Sequence, residues 1–157
     1  MARRCPGEIL TQRSHTEAKA LRRHVIAWLV LCLALAVHVA DEALTDFLSF
    51  YNPSVDAIRR RLPLLPLPTF SFKSWLASLI FATIALLLLS HFVSRGLRWT
   101  IPASYAFGVF MLVNGILHIA WSLNVGRLMP GTYSAPLLIG ASIYLLICTN
   151  SRRHSQS

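Results

Sequence analysis

Val25-Ile26-Ala27-Trp28-Leu29-Val30-Leu31-Cys32-Leu33-Ala34-Leu35-Ala36-Val37-His38-Val39-Ala40-Asp41-Glu42-Ala43-Leu44 is a nearly unbroken apolar run that turns polar only in its last two turns. About 20 residues at 1.5 Å rise each cross the hydrocarbon of a bilayer, so this stretch reads as a transmembrane helix. Working outward, Trp75 to Val93 and Ile101 to Trp121 read the same way, and Tyr133 to Cys148 is a shorter fourth candidate. The whole chain of 157 residues is 55% hydrophobic and only 13% charged, a balance that excludes an ordinary soluble domain. The expected fold class is therefore all-α, an integral membrane four-helix bundle. Residues 25–148 form its transmembrane domain, with basic tails at 1–24 and 149–157.

The net charge of +9 does not point to nucleic acid, because the Lys and Arg residues sit in connections and tails and form no basic face interleaved with aromatics. They read instead as topology signals. With the N-terminus inside, Arg3, Arg4, Arg13, Lys19, Arg22, Arg23, Arg95, Arg98, Arg152 and Arg153 lie on the inner side. Arg59, Arg60, Arg61, Lys73 and Arg127 then lie outside, and ten against five favours N-in, C-in. The expected partner is membrane lipid.

Trp28, Trp75, Trp99 and Trp121 each fall near the end of a proposed span, where an indole can be buried with its N–H wet. Cys5, Cys32 and Cys148 are odd in number and two lie inside spans, so no disulfide framework is implied. Ala34-Leu35-Ala36 resembles a signal-peptide cleavage site, but the charged region ahead of it is too long and the apolar run continues past it.

Thr16 and Glu17 can start a helix that runs into the first span. No breaker follows Glu42, so that helix is expected to continue to about Phe50. Asn52-Pro53 then reads as an N-cap and first helical residue of a short interfacial helix. Pro63, Pro66 and Pro68 make the chain up to Phe70 extended. The short turn from Ser94 to Arg98 implies that the second and third spans are antiparallel neighbours. Ser104, Gly108, Met111, Gly115 and His118 share one stripe of the third span, where small residues admit another helix closely.

An ionisable group at membrane depth costs roughly 2.5–3.5 kcal/mol on insertion scales, so such groups usually face protein and mark a working site. His38, Asp41 and Glu42 can share one helical face, and Asn114 and His118 are again one turn apart. The first and third spans point the same way, and His38 and Asn114 lie at similar depths, so the two polar pairs can meet. No Asp or Glu follows Asp56, so a carboxylate partner for His118 must come from Asp41, Glu42, Asp46 or Asp56. His91 belongs to the opposite surface. His24 and His154 would share that surface with it, without ligand spacing.

Three chemistries fit. His38, His118 and Glu42 form the two-imidazole, one-carboxylate set used by zinc or non-haem iron, with Asp41 or Asn114 beside it. The same groups could shuttle a proton without a metal. They could also be interhelical glue. Read as a site, the metal ligands are His38, Glu42 and His118, and Glu42, Asp41 and Asn114 are the catalytic candidates. No phosphate loop, nucleophile elbow or paired-cysteine zinc motif is present.

His38-x-x-Asp41-Glu42 followed by Asn114-x-x-x-His118 and Pro130-Gly131 resembles the HXXEE-domain integral membrane proteins, over about residues 25 to 148. That family is mostly bacterial and uncharacterised. The resemblance implies a membrane enzyme of a bacterial inner membrane, without supplying a substrate. The chain departs from the motif at Asp41, which is shorter than Glu by one methylene and so a poorer direct ligand than Glu42.

Overall fold

The computed structural model describes residues 6–155, with side chains from His15 onward. Its described residues form five helices and no strand: α1 Pro6–Leu44, α2 Phe47–Arg61, α3 Phe72–Ser94, α4 Thr100–Val125 and α5 Ala135–Ser155. α1, from His15 to Leu44, α3 and α4 are long and apolar enough to cross a membrane. α5 is not among these three, because its apolar part gives way at Thr149-Asn150-Ser151-Arg152.

Several boundaries differ from the sequence reading. α1 begins at Pro6, ahead of the Thr16–Glu17 start. It ends at Leu44 and does not run on to Phe50, because Asp46 adopts the left-handed conformation at φ 56°. Aspartate tolerates that region better than most residues, so the break needs neither glycine nor proline. Thr45 closes the last turn, its N–H and hydroxyl both donating to the Asp41 carbonyl at 3.0 and 2.6 Å. α2 therefore starts at Phe47, and Pro53 lies inside it rather than at its first position. Asn52 does not cap a helix; its amide grips Phe70, donating to the carbonyl at 2.9 Å and accepting from the N–H at 3.1 Å. The proline segment is non-helical as expected, and this clasp draws it back along α2.

The remaining ends follow ordinary capping chemistry. Ser71 caps α3 by accepting the Ser74 N–H. Pro102 and Pro136 sit in the first turns of α4 and α5, where a missing N–H costs nothing. Gly126, at φ 69°, ends α4 in the left-handed conformation.

Packing directions follow from cross-helix contacts. Early α1 meets early α4 where His24 Nε2 lies 2.8 Å from Ser104 Oγ, and late α1 meets late α4 through His38 and Asn114. These two helices thus run parallel, as the depth argument required. Early α1 meets late α5 at His24 and Arg152, and late α1 meets the start of α5 at Asp41 and Ser134, so α5 is antiparallel to α1. α3 packs on α1, with the Trp28 indole donating to the Leu86 carbonyl at 2.9 Å.

The expected neighbour relation of α3 and α4 is corrected: α3 packs mainly on α1, and α4 packs mainly on α5. A short turn fixes where a helix starts but not which flank it covers. α4 chooses α5 because Gly108 and Gly115 carry no Cβ; one added there would lie 2.9 Å from Leu146 and 2.8 Å from Ile139. Half of the apolar stretch of α1 is buried in the protein, against 11% of that of α3, so α1 is the central helix and α3 turns its side chains outward. Trp28 and Trp75 are buried within the protein, while Trp99 and Trp121 are about half exposed. Cys32 and Cys148 are free and buried, and Cys5 lies outside the described residues.

Candidate functional site

Late α1 and late α4 each present two polar side chains to the other, and the start of α5 closes the third side. Glu42 Oε1 lies 3.6 Å from His38 Nε2 and 3.2 Å from His118 Nε2. The two imidazoles meet edge to face, with ring centres 4.8 Å apart. His38 is 1% exposed and Glu42 6%, so these are groups removed from solvent and lipid alike. Asn114 donates its amide to His38 Nε2 at 3.1 Å.

The outer ring nitrogens determine what the inner ones can do. His118 Nδ1 is 2.7 Å from the Pro130 carbonyl oxygen, which can only accept, so Nδ1 carries the proton. Nε2 is then a lone pair facing Glu42. His38 reaches the same state through a relay. Asp41 Oδ2 accepts both the Ser134 N–H at 2.9 Å and the Ser134 hydroxyl at 2.7 Å. With its proton committed there, Ser134 Oγ accepts from His38 Nδ1–H at 2.8 Å. Both histidines are thus held in the same tautomer; the Nε2 lone pair of His118 faces the Glu42 carboxylate, while that of His38, 3.6 Å from the same oxygen, accepts the Asn114 amide. Hydrogen-bonding the far nitrogen of a ligating histidine to an acceptor fixes ring orientation and raises ligand basicity.

His38 Nε2 has the Asn114 N–H, but His118 Nε2 and Glu42 Oε1 face one another as two acceptors 3.2 Å apart and repel unless a proton or a cation sits among them. Among the described residues, His38, Glu42 and His118 are the one group whose donor atoms could hold a metal ion, all lying within 4.8 Å of one another. Ligand atoms about 3.3 Å apart suit a tetrahedral site with bonds near 2.0 Å. The two distances to Glu42 bracket that value.

Pro130 and Gly131 form the floor of this cluster. Gly131 has φ +81°, and a Cβ there would lie 2.7 Å from His118 Cε1 and 3.1 Å from Glu42 Cγ. Only glycine satisfies both the conformation and the close approach. Ser122 secures the same loop, its hydroxyl accepting the Met129 N–H at 3.0 Å and pairing with Thr132 at 2.5 Å.

Beside the cluster an open groove of about 350 Å³ runs between α2 and α4. Phe47, Phe50 and Val55 from α2 and Leu117 and Trp121 from α4 make its walls apolar. Asn114 and His118 line it, whereas His38 and Glu42 lie outside its lining. Phe47 packs against the His118 ring at 5.9 Å and stacks on Trp75 at 5.8 Å.

The structure therefore brings together His38, Glu42, Asn114 and His118 as the spacing suggested. Asp41 is close by but turned to Ser134; it orients His38 and caps α5, and is not among the converging donors. Ser134 was not found from sequence. The signal available was a hydroxyl residue just ahead of a helix start, which ordinarily reads as an N-cap. His24, His91 and His154 form no second cluster: His24 is bonded inside the helix assembly and His91 is exposed.

A helical protein with three helices able to cross a membrane and a buried His-Glu-His group is the class that fold and site define. The sequence profile for proteins of unknown function with an HXXEE motif matches residues 28–145, about three quarters of the chain. The chain belongs to the HXXEE family. No curated protein and no solved structure matches it.

Proposed function

We propose that this protein is a multi-pass membrane enzyme, dependent on a divalent metal, that acts on a lipid or another membrane-partitioned substrate. In this reading His38 Nε2, His118 Nε2 and Glu42 Oε1 hold zinc or iron, and Asn114 orients substrate at the groove. Asp41 acts through Ser134 to set the His38 ring. The bound cation would supply Lewis acidity toward a carbonyl or phosphoryl oxygen. The observation that carries the proposal is the matched tautomers: each histidine gives its Nδ1 proton to an outer acceptor and brings Nε2 beside one buried carboxylate, that of His38 shared with the Asn114 amide. The apolar groove reaching His118 supports a membrane-partitioned substrate.

The full topology belongs to the same reading. α5 crosses as a fourth span through its apolar part up to Cys148, giving a four-helix bundle with both termini inside a bacterial inner membrane.

The test is metal analysis of the detergent-purified protein beside His118→Ala. About one metal per chain in the wild type and none in the variant is the expected result; none in either removes the metal. A second reading, interhelical glue, is favoured by one observation: no fully buried side-chain nitrogen or oxygen among the described residues lacks a partner. Glue predicts that Glu42→Gln destabilises the protein while any associated activity per folded molecule is unchanged.

A further inference from the structure

At the end of α1 away from the His38 cluster, an open groove of about 830 Å³ lies between α1 and the last turns of α5. That volume falls within the roughly 300–1,000 Å³ typical of small-molecule sites. Lys19 and Arg23 of α1 line it, four residues apart and therefore on one face of the helix. Like charges at that spacing repel, and nothing in the groove offsets them. Its lining contains no Asp or Glu, and neither cation is ion-paired to a described residue. Both residues are exposed, so their charged ends are open to a ligand.

Arg22 and Arg153 are exposed at the same end but do not line the groove. Topology signalling asks only that cations lie on one side of a membrane, which these two satisfy. It does not ask that two others converge on a hollow between helices.

The wall that α5 supplies is graded. Ser151 and Ser155 line its outer part, and Tyr144 and Ile147 its inner part. Ile147 is 60% exposed and Tyr144 39%, so the apolar part of the groove opens outward and not into the core. On the facing helix the apolar run begins at Val25, two residues after Arg23. Arg23 therefore stands at the headgroup level, where the first span leaves the hydrocarbon. A ligand lying along the groove meets cations at one end and exposed apolar surface at the other.

We infer that the groove between α1 and α5 binds an anionic phospholipid, with its phosphate between Lys19 and Arg23 and the start of its acyl chains along Tyr144 and Ile147. The attraction is that of basic segments next to a membrane for acidic lipid, here narrowed to one hollow. The exposed apolar wall favours a lipid over free phosphate, which would leave that wall uncovered.

The experiment is thermal unfolding of the full chain in detergent with added phosphatidylglycerol, phosphatidylcholine or inorganic phosphate. Phosphatidylglycerol should raise the midpoint by about 5 °C relative to phosphatidylcholine, as saturation of one site would. Lys19→Gln combined with Arg23→Gln should abolish that difference. Arg22→Gln combined with Arg153→Gln, which removes the same charge from the same end outside the groove, should keep most of it. Ser151→Trp keeps every cation but fills the groove, and should abolish the difference as well. No lipid difference in the wild type overturns the proposal. So does a difference that survives in the Lys19 and Arg23 double variant or in Ser151→Trp, or one that the Arg22 and Arg153 double variant removes equally. A phosphate response as large as that to phosphatidylglycerol overturns the lipid assignment.

Discussion

The α1–α4 interface has a buried histidine at each end, and the two ends surround it with different chemistry. At His24 both ring nitrogens are spent, one accepting from Arg152 and the other donating to Ser104. At His38 the Nδ1 proton is spent on Ser134, and Nε2 accepts the Asn114 amide while lying beside Glu42 and a second imidazole. Residue type, burial and helix are the same. The difference lies in what faces the inner nitrogen: a carboxylate and a second imidazole beside His38, a serine hydroxyl beside His24. His118, bonded through Nδ1 alone, is the histidine of this cluster with an unclaimed lone pair; His38 would have to release the Asn114 amide to serve as a ligand.

The contrast can be broken most strongly at Gly131. Gly131→Ala forces a Cβ against His118 and strains a left-handed residue, which should cost about 3 kcal/mol or more and lower the unfolding midpoint by several degrees. A wild-type midpoint in that variant would mean that the floor is not tight. Ser134→Ala removes the relay while leaving all three converging donors in place. Metal affinity, measured by competition with a chelator, should fall about 10- to 100-fold. Unchanged affinity would show that Asp41 and Ser134 only cap α5. The smallest effect is expected at the saturated end. His24→Gln should cost about 1–2 kcal/mol of stability and leave metal content unaltered; loss of metal there would erase the distinction between the two ends.

Much of this was legible before the structure. His38, Glu42, Asn114 and His118 stand out because polar groups in a long apolar run are expensive, and a shared depth brings them together. Parallel α1 and α4 followed from counting spans. The direction of Asp41 was not legible, since a residue three positions from His38 can point toward the cluster or past its edge, and the choice was made by Ser134 on another helix. The break at Asp46 was hidden because aspartate enters the left-handed region without announcing it as glycine would. The partners of α3 and α4 depended on whether Gly108 and Gly115 met α3 or α5, which turn length does not specify.

α1 also carries a constraint of phase. His24 and Glu42 are eighteen residues apart, which at 3.6 residues per turn is five whole turns, so both ends of the interface lie along one line of the helix. Inserting one residue between them would rotate one end by about 100° relative to the other, and either the His24 contact or the Glu42 contact would be lost. The protein therefore cannot adapt to a thicker or thinner bilayer by lengthening or shortening this helix a residue at a time. It has to tilt, or adjust the segments that flank His24 and Glu42.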